Sequence, residues 1–204
     1  MGYGPGSGPG PPGSSRKRGL MLDRQSAFEL LTENTSNPSL IKHALAVEAC
    51  MRAYAGKYGE DVEKWGIVGL LHDFDYQRFP DPPDHPEKGA QILKERGYPE
   101  DVIYAIKSHA HWTGCPRIHR VDRVLFACDE LSGFITAVTL VRPDRKIEGL
   151  QPKSVRKKLK DKAFARSVSR EDILTGAADL GVELNEHVAF CIQAMSGISA
   201  RLGL

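Results

Sequence analysis

The histidines and aspartates of this chain are the residues whose types and spacing could bind metal ions. Six of the seven histidines lie between positions 43 and 119, and the pair His72-Asp73 directly follows the apolar run 67–71, which must be buried. Nitrogen and carboxylate ligands without thiolate suit Fe, Mn, Zn, Ni or Co better than Ca or Mg. Two such ions can generate hydroxide near neutral pH and hold both the attacking and the leaving oxygen of a phosphoryl transfer. The sequence therefore predicts one or two divalent transition metal ions.

Six candidate ligands follow one another along the chain: His43, His72, Asp73, His85, His109 and Asp129. Each also has a plain structural explanation. His43 lies on a mostly apolar helix face and could be a hydrogen-bonded core histidine, while His72-Asp73 could be a helix end with a capping aspartate. These separate explanations do not account for the ordered series as a whole, which favours a metal site.

Two other candidates and one further histidine are open to similar explanations. His85 could simply begin a helix, and Asp129 could pair with Arg123. His109 and His111 lie two positions apart, and side chains with that spacing do not face the same way on a helix. His111 is therefore left outside the candidate ligand set.

The ordered series resembles that of the HD-domain superfamily of metal-dependent phosphohydrolases. His43, then His72-Asp73, then Asp129 match its signature in type and order. The stretch HPEKGAQIL, residues 85–93, resembles the segment after the HD pair in HDIG and HD-GYP proteins, and IKSHAH, residues 106–111, resembles their next histidine block. The resemblance covers residues 35–140 and implies an HD-domain helical bundle.

The resemblance also implies two metal positions that share one carboxylate. The first would be held by His43, His72, Asp73 and Asp129, and the second by Asp73 as a bridge with His85 and His109. A metal-activated hydroxide at Asp73 would then attack the phosphorus of a nucleotide or small phosphoester. Asp73 is accordingly predicted to be catalytic, and the predicted partner is a small phosphorylated substrate.

The sequence departs from the family pattern at two places. The HDIGK form reads HDFDY at residues 72–76, so the lysine that would meet a phosphate is missing. The doubled histidine of HD-GYP proteins reads His109-Ala110-His111, with no GYP signature after it, which argues against hydrolysis of cyclic di-GMP. The region after residue 140 resembles the C-terminal part of small uncharacterised bacterial HD hydrolases and indicates no substrate.

Further polar residues are candidates for contacts with the substrate. Since the usual lysine is missing, other cations are needed for the non-bridging phosphate oxygens, and the candidates are Arg78, Lys88, Arg142 and Lys153. Each is also explained as an ordinary surface charge. Asp75 is a candidate catalytic residue that would orient water or a leaving group, although it equally suits a polar loop.

Helices are the elements that must position these residues. Capping residues, prolines and 3.6-residue periodicity predict nine helix starts, at or near Asp23, Asn37-Pro38, Asp61, Pro86, Pro99, Arg120, Pro152, Ser169 and Val182. No strong two-residue periodicity is present, and the β-prone run 137–141 is interpreted as the end of a helix. The predicted fold is all-α, an HD-type bundle with additional C-terminal helices.

Composition sets the boundaries of the domain. The chain has 204 residues, 41% hydrophobic and 26% charged, with 20 glycines and 13 prolines. Many of these glycines and prolines fall within residues 1–19, which are predicted to be a disordered Gly/Pro-rich tail. Residues 20–204 are predicted to form one domain, with the metal-site core at 35–140 and the C-terminal helices at 150–204.

Charge and residue usage exclude several other classes of protein. The net charge of +2 gives no strong reason to expect nucleic acid, and the basic stretch 153–162 is interpreted as a solvated helix face. No apolar run approaches the ~20 residues that span a membrane. Four dispersed cysteines without a C-x-x-C pair argue against a zinc ribbon or a disulfide scaffold. They suit a reducing compartment, and without a secretory signal a cytoplasmic location is expected.

Two other functions remain open beside the phosphohydrolase. Some HD-fold proteins with the same six-ligand set bind two irons and oxidise small alcohols or phosphonates with oxygen. A degenerate HD domain could also act as a non-catalytic ligand sensor, although all six ligand positions are filled. The sequence leaves the oligomeric state open.

Overall fold

The protein is all-α, as predicted. The computed structural model describes residues 1–2 and 23–204, and this part contains helices and no strand. The α-helices of the described residues are α1 (Arg24–Asn34), α2 (Pro38–Tyr58), α3 (Val62–Leu71), α4 (Asp84–Glu95), α5 (Glu100–Ser108), α6 (Arg120–Leu140), α7 (Pro152–Leu159), α8 (Arg170–Leu180), α9 (Leu184–Ser196) and α10 (Ser199–Leu202). A short 3-10 helix, His111–Thr113, follows α5. All but two residues of the predicted disordered tail, 1–19, lie outside the described residues.

Side-chain caps start four of the predicted helices. Asp23, Asn37, Asp61 and Ser169 each accept a hydrogen bond from a main-chain N–H in the first turn of α1, α2, α3 and α8. Such a bond satisfies one of the donors that a helix N-terminus leaves free. The start predicted at Val182 falls slightly later, because Glu183 accepts the capping bond from Asn185 and α9 begins at Leu184.

The apolar residues of all ten helices form one contiguous cluster. Helix α3 is buried from Trp65 to Leu71 and packs against α2, and Gly69 permits this contact. A Cβ atom at Gly69 would lie only 3.1 Å from the main-chain nitrogen of Glu48 on α2. The close contact sets the position of the C-terminus of α3, where His72 follows.

The long helix α6 spans the bundle and ends where the β-prone run was interpreted as a helix end. It continues through Leu140, with Val141 as its C-terminal cap. The C-terminal helices α7, α8 and α9 all pack against it. None of the helices in the described part of the chain combines the length and the apolarity needed to cross a bilayer.

Candidate metal centre

The structure brings all six candidate ligands together from five helices. They lie in α2 (His43), at the C-terminus of α3 (His72), in the turn after it (Asp73), at the start of α4 (His85), at the C-terminus of α5 (His109) and in the middle of α6 (Asp129). Residues 85 and 86 have non-helical backbone angles, so α4 is kinked at its first turn. This kink and the helix ends allow side chains far apart in sequence to face one point.

One group of potential ligand atoms comes from His43, His72, Asp73 and Asp129, and these atoms all lie within 4.8 Å of one another. His43 Nε2 lies 3.0 Å from Asp129 Oδ1. His72 Nε2 lies 3.4 Å from both Asp129 Oδ1 and Asp73 Oδ2. The alternative pairing of Asp129 with Arg123 is not seen, since Arg123 Nε donates to the carbonyl of Arg117.

A second group comprises Asp73, His85 and His109. The Nε2 atoms of the two histidines lie 3.3 Å from each other, and each lies 3.3 Å from Asp73 Oδ1. Asp73 therefore presents Oδ2 to the first group and Oδ1 to the second. This arrangement suits a carboxylate that bridges two metal ions.

Hydrogen bonds on the far side of the rings orient three of the histidines. His72 Nδ1 donates to the carbonyl of Gly69 at 2.8 Å, and His109 Nδ1 donates to the carbonyl of Ile106 at 2.5 Å. His85 Nδ1 donates to Asp75 Oδ1 at 2.9 Å. In the neutral rings each Nε2 then carries a lone pair directed toward the centre, which is how metal-ligating histidines are usually held.

His72 provides the test of whether the centre suits a metal ion. Its Nε2 is fully buried and has no hydrogen-bond partner among the described residues. The atom faces oxygens of Asp73 and Asp129 that are acceptors themselves, so lone pair would meet lone pair in the absence of a cation. A buried polar atom without a partner is costly, and a transition metal ion between these atoms would satisfy it. The residues present therefore fit a divalent transition metal.

The pKa values of the centre follow from the concentration of carboxylates and histidines. Burial opposes ionisation of Asp73, but the charge of His72 and hydrogen bonds from His109, His72 and His85 hold the pKa of Asp73 well below its usual range. Burial likewise opposes the charged form of His85, yet Asp73 and Asp75 raise the pKa of His85 to about 9. Asp73 and Asp129 raise the pKa of His72 in the same way, against the effect of burial. The carboxylates of the centre therefore favour positive charge on the groups around them, which protons supply when no metal is bound.

A cavity of about 390 Å³ opens onto this centre. Besides ligand residues it is lined by Tyr76, Ala110, His111, Trp112, Phe126, Glu130, Gly133, Ser167, Val168 and Asp172. Within the described part of the chain, no lysine or arginine lines the cavity. Burial and the neighbouring charge of Asp129 raise the pKa of Glu130 to about 7.

Asp75 does not take the position predicted for it. Its side chain is buried behind His85, outside the cavity lining, and its two oxygens accept hydrogen bonds from His85 Nδ1 and from the main-chain nitrogen of Gly89 at 2.9 and 2.8 Å. A Cβ atom at Gly89 would lie 2.7 Å from the Asp75 carboxyl carbon, so this close approach requires glycine. Asp75 orients a candidate ligand histidine, and the predicted contact with water or a leaving group has no support in its placement.

The four predicted substrate-binding cations do not line the cavity. Arg78 donates to Asn34 Oδ1 at 2.6 Å, and Arg142 forms paired hydrogen bonds with Asp144. Lys88 lines a separate groove between α4 and α5, and Lys153 lines another beside α7. They were selected because the lysine of the family pattern is missing, and the fold places them outside the cavity.

The cavity walls include residues that the sequence analysis did not select. Trp112 donates from its indole nitrogen to the carbonyl of His85 at 2.6 Å, which places the ring beside that ligand. His111, left outside the ligand set, lines the cavity and pairs with Asp172 at 3.0 Å. Ser167 and Val168 come from the segment before α8 and had no distinguishing pattern in the sequence.

Fold and centre together define the class of protein: a helical bundle whose helices and helix ends bring histidines and aspartates together at a candidate metal site. Residues 40–133 match the family model of the HD domain, and this segment contains all six candidate ligands. The chain therefore carries an HD domain, as the resemblance predicted, and the finer HDIG assignment stays a prediction. HD domains bind divalent metal ions and are generally metal-dependent phosphohydrolases. Neither the curated proteins nor the solved structures provide a significant match to the chain.

Proposed function

We propose that this protein is a metal-dependent phosphohydrolase that acts on a small phosphoester or nucleotide with two divalent transition metal ions. The observation that carries the proposal is the position of Asp73, whose two carboxylate oxygens face two different groups of histidines. When bound, two such ions supply hydroxide near neutral pH and stabilise the charge on both reacting oxygens of a phosphoryl transfer.

The six candidate ligands would hold two metal positions. Asp73 would bridge the two positions, with His43, His72 and Asp129 on one side and His85 and His109 on the other. Main-chain carbonyls and the Asp75 carboxylate keep the Nε2 atoms of His72, His85 and His109 directed toward the centre. These side chains would therefore need little reorganisation when metal ions bind.

The shape and charge of the cavity support a small substrate of low net charge. Its volume of about 390 Å³ is at the lower end for small-molecule sites, and no lysine or arginine of the described residues lines it. Charge on the substrate would have to be neutralised at the metal ions alone. We therefore expect a phosphomonoester or phosphodiester rather than a nucleoside triphosphate, with Tyr76, Trp112 and Phe126 available to contact its organic part.

The same lining also fits the oxygen-dependent alternative, a di-iron oxidation of a small alcohol or phosphonate. A cavity that no lysine or arginine of the described residues lines does not require a phosphate, and the ligand types suit iron as well as manganese or cobalt. The identity of the metal and the consumption of oxygen would separate the two functions.

One screen tests the proposal directly. The metal-free protein would be loaded with Mn, Co, Ni or Fe, its bound metal counted, and its activity measured on a panel of phosphomonoesters, phosphodiesters and nucleotides. The expected result is phosphate release with two ions per chain. In Asp73→Asn both the activity and at least one ion are lost, because the bridge is removed, whereas Asp144→Asn on the surface retains both.

Two results would contradict the hydrolase. One is activity in Asp73→Asn equal to that of the unmodified protein. The other is oxygen consumption by the iron-loaded protein with a small alcohol or phosphonate, accompanied by no release of phosphate from any ester.

A further inference from the structure

A group of cysteines lies in the core, separate from the histidine–aspartate centre. Cys50 of α2, Cys128 of α6 and Cys191 of α9 place their sulfur atoms within 4.8 Å of one another. None of the three residues is exposed to solvent. The fourth cysteine, Cys115, lies partly exposed and outside this group. Three of the four cysteines of the chain, far apart in sequence, thus meet at one point.

A histidine stands beside one of the three sulfurs, that of Cys191. His187 Nδ1 lies 3.7 Å from Cys191 Sγ, and the opposite ring nitrogen donates to the carbonyl of Ala127 at 2.9 Å. That hydrogen bond leaves Nδ1 as the acceptor, and it receives the hydroxyl proton of Tyr54 at 2.6 Å. An imidazole held by a main-chain carbonyl on its far side is the usual arrangement of a metal-ligating histidine.

The distances are close to those of a tetrahedral zinc site. With Zn–S bonds of about 2.3 Å and a Zn–N bond of about 2.0 Å, tetrahedral geometry places sulfurs about 3.8 Å apart and sulfur and nitrogen about 3.6 Å apart. The contact between Cys191 and His187 already has this length. The sulfurs would need to approach one another by at most about 1 Å, which small side-chain rotations supply. His187 Nδ1, which lies beside Cys191 but not within 4.8 Å of all three sulfurs, would have to turn toward the other two.

We propose that Cys50, Cys128, Cys191 and His187 form a structural zinc site. Three thiolates and a neutral imidazole around Zn²⁺ leave a net charge of −1, and this donor set is one of the established closed structural sets. Tyr54 gives up its hydrogen bond to His187 when the ion binds. Because a thiophilic ion prefers sulfur, the site is chemically distinct from the nitrogen and oxygen ligands of the other centre.

The position of the site suggests its role. Cys50 and Cys128 belong to the HD domain at 40–133, whereas His187 and Cys191 lie on α9, beyond it. The ion would therefore bind α9 to α2 and α6 and stabilise the folded state, as structural zinc does. Buried cysteines also pack as small apolar residues, and that simple packing is the alternative that the experiment must separate.

Cobalt provides a probe that distinguishes the two centres. The full chain would be unfolded with chelator and reductant, refolded with Co²⁺ so that the buried position is accessible, and its absorption recorded. The proposal predicts a thiolate-to-cobalt charge-transfer band that saturates at one ion per chain. The histidine–aspartate centre has no thiolate and cannot produce this band, so the result is independent of the proposed hydrolase.

Single variants identify the ligands. Cys128→Ala and Cys191→Ala should abolish the charge-transfer band, while Cys115→Ala retains it in full. A measurement on the unmodified chain does not depend on the folding of variants: an organomercurial that titrates the thiols of the zinc-refolded protein should release one zinc ion per chain. Absence of the band in the refolded unmodified protein, or its loss in Cys115→Ala alone, would overturn the site and leave apolar packing as the explanation.

Discussion

At the scale of single residues, Asp75 shows how a buried carboxylate can act through a neighbour. It holds the Nδ1 proton of His85, so the Nε2 lone pair of that ring points at Asp73 and His109. It also accepts from the main chain of Gly89, which ties the turn after α3 to the start of α4. A carboxylate behind a ligand histidine fixes the tautomer and increases the basicity of the ligand.

Asp75→Asn should therefore weaken metal binding at one position only. The amide can still bond to Gly89, but it is a poorer partner for the imidazole N–H, and loss of such a partner typically costs about 10–100-fold in affinity. Calorimetric titration of the metal-free protein should show this loss for the ion at His85 and His109 and little change for the other. Asp84→Asn, on the exposed first turn of α4, is the control. Equal weakening of both ions would show that Asp75 supports the fold and not one ligand.

The pKa of His85 leads to a prediction about pH. Its pKa is raised from 6.5 to about 9 in the folded protein, because the effect of the carboxylates exceeds that of burial. Protonated His85 therefore stabilises the folded state. This contribution is fully present below pH 6.5 and is lost as the pH rises through 9. The metal-free protein should thus lose at most about 3 kcal/mol of unfolding free energy over this interval.

Urea unfolding at several pH values, with chelator and with metal, measures this effect. Metal replaces the proton, so metal affinity should increase across the same pH interval and the loaded protein should lose less stability. His85→Gln should flatten the pH dependence of the metal-free protein. If the metal-free protein is equally stable at pH 6.5 and pH 9, Asp73 and Asp75 do not hold His85 in its charged form.

At the scale of elements, one arginine supports the segment that closes the cavity. The guanidinium of Arg170 donates to the main-chain carbonyls of Phe164, Ala165 and Val168 and lies 4.9 Å from the ring centre of Phe134. Ser167 and Val168, from the same segment, form part of the cavity wall. A planar guanidinium with five donors can bind several carbonyls at once, whereas a lysine cannot reproduce this geometry.

Arg170→Lys should consequently loosen the segment and leave the metal centre intact. We expect faster tryptic cleavage after Lys162 and Arg166, a KM raised several-fold and little change in kcat or in metal content. Arg142→Lys serves as the matched control, because Arg142 holds a different loop through Asp144. A fall in kcat at constant KM, or unchanged proteolysis, would contradict a positioning role.

The elements also show what the sequence could predict. Caps such as Asp23 and Ser169 determine helix starts locally, so these starts could be predicted. The ordered series of histidines and aspartates also identified the six candidate ligands, which the fold brings together. The orientation of Asp75 behind His85 depends on contacts between α4 and the turn after α3, which no local pattern encodes. The same holds for the convergence of Cys50, Cys128 and Cys191 from three helices.

At the scale of the whole molecule, two parts of the chain build one cavity. The HD segment 40–133 supplies the six candidate ligands and most of the residues that line the cavity. Ser167, Val168 and Asp172, from beyond that segment, supply one wall. In the proposed hydrolase the metal ions would thus be held by the HD segment, and the region before and within α8 would contact the substrate.

The charge of that wall determines which esters the proposed hydrolase would accept. Two divalent ions would contribute a charge of +4. The carboxylates of the lining offset this charge, and no lysine or arginine of the described residues adds positive charge; these carboxylates are Asp73, Asp129, Glu130 and Asp172. A polyanionic substrate gains little in such a field, whereas a phosphomonoester needs only the ions. A cation added to the wall should therefore change selectivity without changing the ligands.

Ser167→Lys supplies that cation. We expect kcat/KM for a nucleoside diphosphate to increase relative to a simple phosphomonoester by about five- to tenfold, and to decrease again with added salt, because a partly exposed charge is screened. Leu174→Lys, on the exposed face of α8, adds the same charge away from the cavity and should not alter the ratio. A ratio unchanged in Ser167→Lys, with both substrates still hydrolysed, would mean that the segment before α8 does not contact the part of the substrate beyond its reacting phosphate.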